Sequence, residues 1–174
     1  KLSFTIKELG DFTRTIKDTR IGEKVFVDGP YGSFTIDRHD HARAFIFIAG
    51  GVGITPFMSM LRTLADRNET RPVALFYANR DWESVIFREE LEKIKERLNI
   101  TLIHVLEKPP EGWGGKTGYL TRTDIEEVIP RGLERNQVEI FLCGPPPMMR
   151  AVDKIIAELK IWPGDFHYER FDLV

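Results

Sequence analysis

A glycine-rich run follows a fully apolar stretch of the sequence and ends on a proline. It reads Gly50-Gly51-Val52-Gly53-Ile54-Thr55-Pro56. Glycines permit a tight turn and a close backbone approach, and the free N–H groups at the start of a helix attract a phosphate. The spacing G-x-G-x-x-P departs from the usual dinucleotide fingerprint in its last position, so a turn that serves only packing explains the run equally well.

A second turn of similar composition follows another apolar stretch and reads Cys143-Gly144-Pro145-Pro146-Pro147-Met148. An isolated cysteine is often a small buried hydrophobic residue. The place of Cys143 at a strand end, beside glycine and proline, favours a position in a ligand site instead. A thiolate nucleophile is not favoured because the sequence has no evident histidine partner for it.

The elements that must position these turns alternate between strand and helix. The predicted strands are 44–49, 73–77, 100–105, 138–142 and 167–171, and the main predicted helices are 56–66, 87–98 and 145–159. Short connections between such elements imply right-handed crossovers. We therefore predict an α/β fold, a doubly wound and mostly parallel sheet of five strands, with the two turns framing one cleft at its carboxyl edge.

Asn79, Arg80 and Asp81 follow the second predicted strand. At this position of a dinucleotide-binding sheet, an acid binds the ribose 2′-hydroxyl of NADH, whereas an arginine receives the 2′-phosphate of NADPH. Arg80 favours NADPH as the nucleotide, and Asp81 leaves NADH as the alternative.

Residues 1–37 have a different pattern, with two predicted strands at 2–7 and 24–28 and a short helical turn between them. A polar hinge at 37–41 separates this part from the alternating part, which we place at 42–174. Because a strand pattern starts at once and no initiator methionine is present, we expect a fragment of a longer protein.

Composition limits the partners of the chain. A net charge of -2 gives no general attraction to nucleic acid or to anionic membranes. No apolar run approaches the roughly 20 residues that cross a bilayer, so we expect a soluble, cytoplasmic chain. His39 and His41 flank Asp40, but the sequence offers no further ligand cluster, so we expect a solvated turn and no metal site.

Four segments together resemble the ferredoxin-NADP reductase superfamily in order and spacing. They are 29–34, 50–56, 143–148 and 168–171. Within that superfamily, the start of the chain looks most like the dehydrogenase region of ferric reductases and NADPH oxidases. The resemblance implies a six-stranded antiparallel FAD-binding β-barrel followed by a nicotinamide domain.

The resemblance also implies an activity. Hydride would pass from NADH or NADPH to FAD, and single electrons would then pass to haem, ferric iron or an iron-sulfur protein. A membrane domain of the same parent chain could hold that acceptor, which would place this chain at the cytoplasmic face of a membrane.

Individual residues match the motifs of the superfamily. The pyrophosphate loop corresponds to Gly50, Gly51, Gly53 and Pro56, with Thr55 where the loop faces the two rings. The turn that guides the nicotinamide corresponds to Cys143, Gly144, Pro145 and Met148. A flavin-pyrophosphate motif corresponds to Gly10, Phe12 and Thr13, and the C-terminal segment beside the flavin corresponds to Glu169 and Phe171.

One motif of the superfamily is missing, the arginine-x-tyrosine-serine anchor that holds the flavin and lies upstream of the first strand. We therefore predict weak or no FAD binding by this chain alone. A non-catalytic nucleotide-binding or sensor subunit of a larger complex is the alternative function. A dehydrogenase acting directly on an organic substrate is disfavoured because no acid-base pair stands at a strand end.

Overall fold

A computed structural model describes residues 2–29, 31–160 and 166–170. The chain divides into two compact units, Lys1–Ser33 and Phe34–Val174.

The second unit is built on a six-stranded sheet. Its strands are β1 (Ala44–Gly50), β2 (Val73–Asn79), β3 (Ile100–Leu106), β4 (Lys116–Thr117), β5 (Val138–Cys143) and β6 (Phe166–Glu169). Their order across the sheet is β4-β3-β2-β1-β5-β6, and every neighbouring pair is parallel. The predicted α/β parallel sheet is confirmed. The predicted count of five strands is wrong because β4, of two residues, adds a sixth.

Helices cover both faces of this sheet, as a doubly wound fold requires. They are α2 (Ile54–Asp66), α3 (Arg88–Lys95), α4 (Arg122–Val128) and α5 (Pro146–Leu159). Buried side chains of α2 and α3 join one apolar cluster, and those of α4 and α5 join the other. Alternate residues of β1 enter the two clusters, Phe45 and Phe47 on one side and Ile46 and Ile48 on the other. This is why β1 is apolar at every position.

The strand order reverses at β1. The chain moves outward from β1 through β2 and β3 to β4, and then returns to place β5 on the other side of β1. The carboxyl ends of β1 and β5 are therefore neighbours, with Ala49 in register with Cys143. In open α/β sheets, ligands bind at such a switch point.

The first unit contains one α-helix, α1 (Asp11–Thr15), followed by a 3-10 turn at Ile16–Asp18. The short helical turn predicted here is confirmed. The strands predicted at 2–7 and 24–28 are wrong, since no strand occurs in the described residues up to Ser33. A strand needs a neighbour to pair its N–H and C=O groups, and an alternating pattern alone does not supply one.

The second unit begins at Phe34, earlier than the polar hinge predicted at 37–41. The Phe34 ring packs edge-on against Phe57 and Phe141, with centroids 5.8 and 5.4 Å away. Ile36 is buried in the same apolar cluster. This packing fixes where the second unit starts.

Candidate functional site

The two glycine-proline turns are in direct contact at the switch point. A Cβ atom added to Gly53 would lie 2.4 Å from the carbonyl oxygen of Cys143. One added to Gly50 would lie 2.6 Å from both Met148 Sδ and Pro145 Cδ. Only glycine fits at both positions, because a real Cβ essentially never comes so close to another heavy atom. The close approach of the two turns therefore depends on glycines in the first of them.

Gly51 serves a different purpose in the same turn. Its φ of +53° is left-handed, and nothing lies within 4 Å of the place where its Cβ would be. Glycine adopts this conformation without steric cost. Gly51 thus turns the chain from β1 into the 3-10 turn Gly51–Gly53, which leads directly into α2.

The starts of the two helices differ in the donors that they offer. The first turn of a helix has N–H groups without intrahelical partners. At α2 no side chain caps them, but the Ile54 N–H already donates to the carbonyls of Gly51 and Val52, and Pro56 has no N–H. At α5, Pro146 and Pro147 have no N–H to offer. The first turn of α2 thus lacks one N–H through proline, whereas that of α5 lacks two. The sequence prediction placed Pro56 first in the helix, whereas Pro56 is the third residue of α2 and still lies in the first turn.

Cys143 lies at the end of β5 and is completely buried. Burial, with a smaller effect of the Glu169 carboxylate, raises the pKa of the Cys143 thiol to about 12. The side chain is thus a neutral thiol near pH 7. Glu169 lies in register with Cys143 on β6, and burial raises the pKa of its carboxyl as well.

Asn79 ends β2 beside this edge of the sheet. The residue is 9% exposed. Neither its amide nitrogen nor its amide oxygen makes a hydrogen bond of normal geometry with the described residues, although the Tyr77 hydroxyl on the same strand interacts with this amide. A buried amide of this kind is suited to a polar ligand. Arg80 is exposed, whereas the carboxylate of Asp81 accepts hydrogen bonds from the backbone N–H and hydroxyl of Ser84.

The residues matched to a flavin motif lie in the first unit. The hydroxyl of Thr13 accepts hydrogen bonds from the backbone N–H groups of Leu9 and Gly10, at 2.9 and 3.0 Å, and caps α1. Phe12 is 78% exposed. The role of these residues toward FAD stays a prediction. Phe171 lies outside the described residues.

A cluster that sequence reasoning missed lies at the other end of β5. His39 and His41 are not a solvated turn alone, because both approach the buried carboxylate of Glu139, which His167 also contacts. Burial lowers the pKa of His39, and the nearby Glu139 carboxylate opposes this shift. The sequence holds one signal of this cluster, because Glu139 is a carboxylate in an otherwise apolar strand.

In the described part of the chain, no helix is both long and apolar enough to cross a membrane.

Similarity to known proteins extends over most of the chain. A family model described as the oxidoreductase NAD-binding domain matches residues 47–154. NADH-cytochrome b5 reductase 1 of Laccaria bicolor is 34% identical over 88% of this chain and 50% of that protein. The glycine betaine monooxygenase reductase subunit of Chromohalobacter salexigens is 32% identical over 97% of this chain and 47% of that protein. The chain thus spans about half the length of the curated relatives it matches.

Solved structures share the fold. The cytochrome b5 reductase domain of Ulva prolifera nitrate reductase has a TM-score of 0.79 at 24% identity, covering 92% of this chain and 64% of that one. The CS-b5R domains of human Ncb5or, in an NAD+ form, have a TM-score of 0.78 at 28% identity, covering 95% of this chain and 47% of that one. A ferredoxin NADP+ reductase from Neisseria gonorrhoeae with bound FAD and NADP has a TM-score of 0.73 at 20% identity, covering 95% of this chain and 71% of that one.

Proposed function

Because the chain belongs to the oxidoreductase NAD-binding domain family, we propose that it is the nicotinamide-binding part of a flavin-dependent NAD(P)H oxidoreductase. The proposal rests on one observation: two glycine-containing turns meet at the switch point, at the start of a helix that no side chain caps. This arrangement accepts a dinucleotide along its pyrophosphate.

The pyrophosphate binds at the first turn in this proposal. The 3-10 turn Gly51–Gly53 brings the backbone close to the phosphates, and the N–H groups and dipole at the start of α2 stabilise their charge. Thr55 and Pro56 stand in the first turn of α2 and remain partly exposed toward such a ligand. Asn79, whose amide lacks hydrogen bonds of normal geometry, offers a donor and an acceptor at the end of β2.

The nicotinamide ring lies against the second turn. Gly144 has no side chain there, so the ring can approach the backbone closely. A Cβ at Gly144 would lie 3.1 Å from Met148 Sδ, so the turn is already filled to the van der Waals limit on that side. Cys143 contributes a small, neutral thiol, and Glu169 in register with it contributes a carboxyl whose pKa is raised by burial.

FAD, when bound, accepts two electrons as hydride and releases them singly. Residues 1–33, the first unit, are proposed to be the C-terminal part of the antiparallel β-barrel that binds it. This assignment is supported by apolar residues at alternate positions, as in a strand with one buried face. Leu2, Phe4 and Ile6 are 78%, 63% and 47% exposed, so their side chains are free to pack in the interior of a barrel. Gly10, Phe12 and Thr13 would lie near the flavin pyrophosphate.

The electron acceptor is proposed to be haem, ferric iron or an iron-sulfur protein. Support comes from the relatives, which are named as a reductase of cytochrome b5 and as the reductase subunit of a monooxygenase. We place this reaction in the cytoplasm, with an acceptor in a membrane domain of the parent protein as a finer proposal.

Arg80 is proposed to receive the 2′-phosphate of NADPH. Asp81 is held in its turn by Ser84, whereas the neighbouring guanidinium is exposed. Arg80→Ala should weaken NADPH binding in calorimetric titrations by about tenfold and leave NADH binding nearly unchanged. Equal losses for both nucleotides, or tighter NADH binding by the unmodified chain as the names of the cytochrome b5 reductases suggest, would remove Arg80 from this role.

The experiment that tests the function uses the full-length protein that contains this chain. Anaerobic mixing with NADPH or NADH should bleach the visible absorbance of bound FAD, and Gly53→Ala should slow this reduction far more than Gly114→Ala. Gly114 is a fair control because a Cβ there meets nothing within 4 Å. Nucleotide binding without flavin reduction would favour the alternative of a non-catalytic subunit. The 174-residue chain alone should carry no stoichiometric FAD.

A further inference from the structure

Glu139 is the only charged side chain among the buried residues of the described chain, and it is 1% exposed. It stands second in β5, in a strand whose other residues are apolar or cysteine. Burying an ionised carboxylate is costly unless other groups compensate its charge. Groups around Glu139 must therefore compensate its charge.

Three of the four histidines of the sequence surround this carboxylate. His39 Nδ1 is 3.3 Å from Oε2, His41 Nε2 is 2.8 Å from Oε1, and His167 Nε2 is 2.5 Å from Oε2. Despite the short distance to His41, Oε1 accepts no hydrogen bond of normal geometry from the described residues. The buried Oε1 atom thus has the His41 imidazole beside it without a hydrogen bond of normal geometry, while His39 and His167 approach Oε2.

Three possible metal ligands of this cluster lie close to one another. One nitrogen from His39, one from His41 and one oxygen of Glu139 lie within 4.8 Å of one another. Ligand bonds of about 2.0–2.1 Å in a tetrahedral zinc site put neighbouring ligand atoms about 3.3 Å apart. Two imidazoles and one carboxylate are a known ligand set for zinc. Imidazole ligands also distinguish such a site from those of Mg²⁺ or Ca²⁺, which prefer oxygen.

We propose that His39, His41 and Glu139 form a binding site for a divalent transition-metal ion, Zn²⁺ by its ligand types. His167 binds the same carboxylate from β6 and positions it as an outer partner. The His41 side chain is 61% exposed, so the ion enters from solvent on that side.

This site is separate from the nucleotide turns. Glu139 lies near the amino end of β5 and Cys143 at its carboxyl end, a separation of about 13 Å for four residues of strand. A bound ion would connect the segment of His39 and His41 to β5 and, through His167, to the edge strand β6. We expect the ion to stabilise the second unit and to take no part in hydride transfer.

The test uses the 174-residue chain, freed of metal with a chelator and titrated with Zn²⁺ or Co²⁺ alone. We expect one Zn²⁺ per chain by calorimetry and, with Co²⁺, the intense visible absorbance of a four-coordinate ion. His41→Ala should weaken Zn²⁺ binding by roughly 100-fold, and His167→Gln should weaken it by about tenfold. His104→Gln, which removes the histidine outside the cluster, should leave the affinity unchanged.

His41→Ala is the decisive variant because the His41 side chain is 61% exposed, so its removal opens no cavity in the apolar core. Glu139→Gln serves as a second variant, with circular dichroism to verify its fold. Failure to take up Zn²⁺ saturably would overturn the proposal, and the cluster would then be only a hydrogen-bonded one. Uptake that is equal in the unmodified chain and in His41→Ala would overturn it as well. Neither result bears on nucleotide binding.

Discussion

In residues 34–174, β1 has a parallel neighbour on each side and apolar clusters on both faces, so its backbone and side chains are all partnered. In residues 1–33, apolar side chains are abundant but exposed: Val25, Phe26 and Val27 are 65%, 93% and 56% exposed. Similar residue types thus have opposite outcomes in the two units. The difference lies in whether neighbouring strands are available within the chain.

The two units also differ in the cofactor that their residues are proposed to bind. The switch point at which we propose that the nicotinamide nucleotide binds is formed by β1, β5 and their two turns, all of which lie in the second unit. The residues matched to the flavin lie mainly in the first unit. We therefore expect the second unit to bind its nucleotide in this chain and the first unit to bind FAD poorly.

The largest expected contrast is in stability. Phe141 is fully buried, and its ring meets those of Phe34, Phe47 and His167 with centroids 5.4, 5.7 and 4.7 Å away. Phe141→Ala should lower the free energy of unfolding in urea by about 3–5 kcal/mol. The same change at exposed Phe26 should alter it by less than about 0.5 kcal/mol. Similar losses for the two variants would show that the first unit has a core of its own.

Glycine substitutions give an intermediate contrast. Gly53→Ala forces a Cβ to within 2.4 Å of the Cys143 carbonyl oxygen, a backbone atom that cannot rotate away as the end of a flexible side chain would. We expect a loss of about 1–3 kcal/mol in stability together with weaker NAD(P)H binding. At Gly10, a Cβ meets nothing within 4 Å, so Gly10→Ala should leave both quantities unchanged. Calorimetric titration and urea unfolding of both variants test this, and normal nucleotide affinity in Gly53→Ala would contradict it.

Ion pairs give the smallest contrast. The Arg71 guanidinium, 2.6 Å from the Glu69 carboxylate, lowers the Glu69 pKa from 4.5 to about 2. A lowered folded pKa means that the contribution to stability is complete above pH 4.5 and is lost as the pH falls toward 2. With solvent screening, we expect about 1 kcal/mol from this pair.

As the pH is lowered from 4.5 toward 2, the urea midpoint of unfolding should therefore fall less steeply in Glu69→Gln and Arg71→Gln than in the unmodified chain. The pair of Lys17 and Glu8 in the first unit is the control, since both side chains are more than half exposed. Glu8→Gln should leave the pH dependence as it was. An equal flattening in Glu8→Gln would contradict the assignment to Glu69.

The main strands and helices were predictable because buried parallel strands are apolar throughout and amphipathic helices repeat at 3.6 residues. The ferredoxin-NADP reductase superfamily, inferred from the four motifs, is confirmed. The narrower likeness to ferric reductases and NADPH oxidases stays a prediction. Strand β4 was not predictable, since Lys116 and Thr117 sit in a glycine-rich loop without any periodic pattern.

The site was predictable only in part. Local composition identified both turns, but their mutual contact depends on the pairing of β1 with β5, which are far apart in sequence. For the same reason, the meeting of His39 and His41 with Glu139 did not follow from their spacing. The hydrogen bonds that hold Asp81 depend on local turn geometry that residue types alone do not fix.

Hydrogen exchange with and without saturating NADPH or NADH tests the central claim most directly, because it reports both units in one sample. We predict that the nucleotide slows exchange in peptides covering 50–56 and 143–148 and leaves residues 2–29 unchanged. Saturating nucleotide that protects neither turn, or that protects only residues 2–29, would contradict the account.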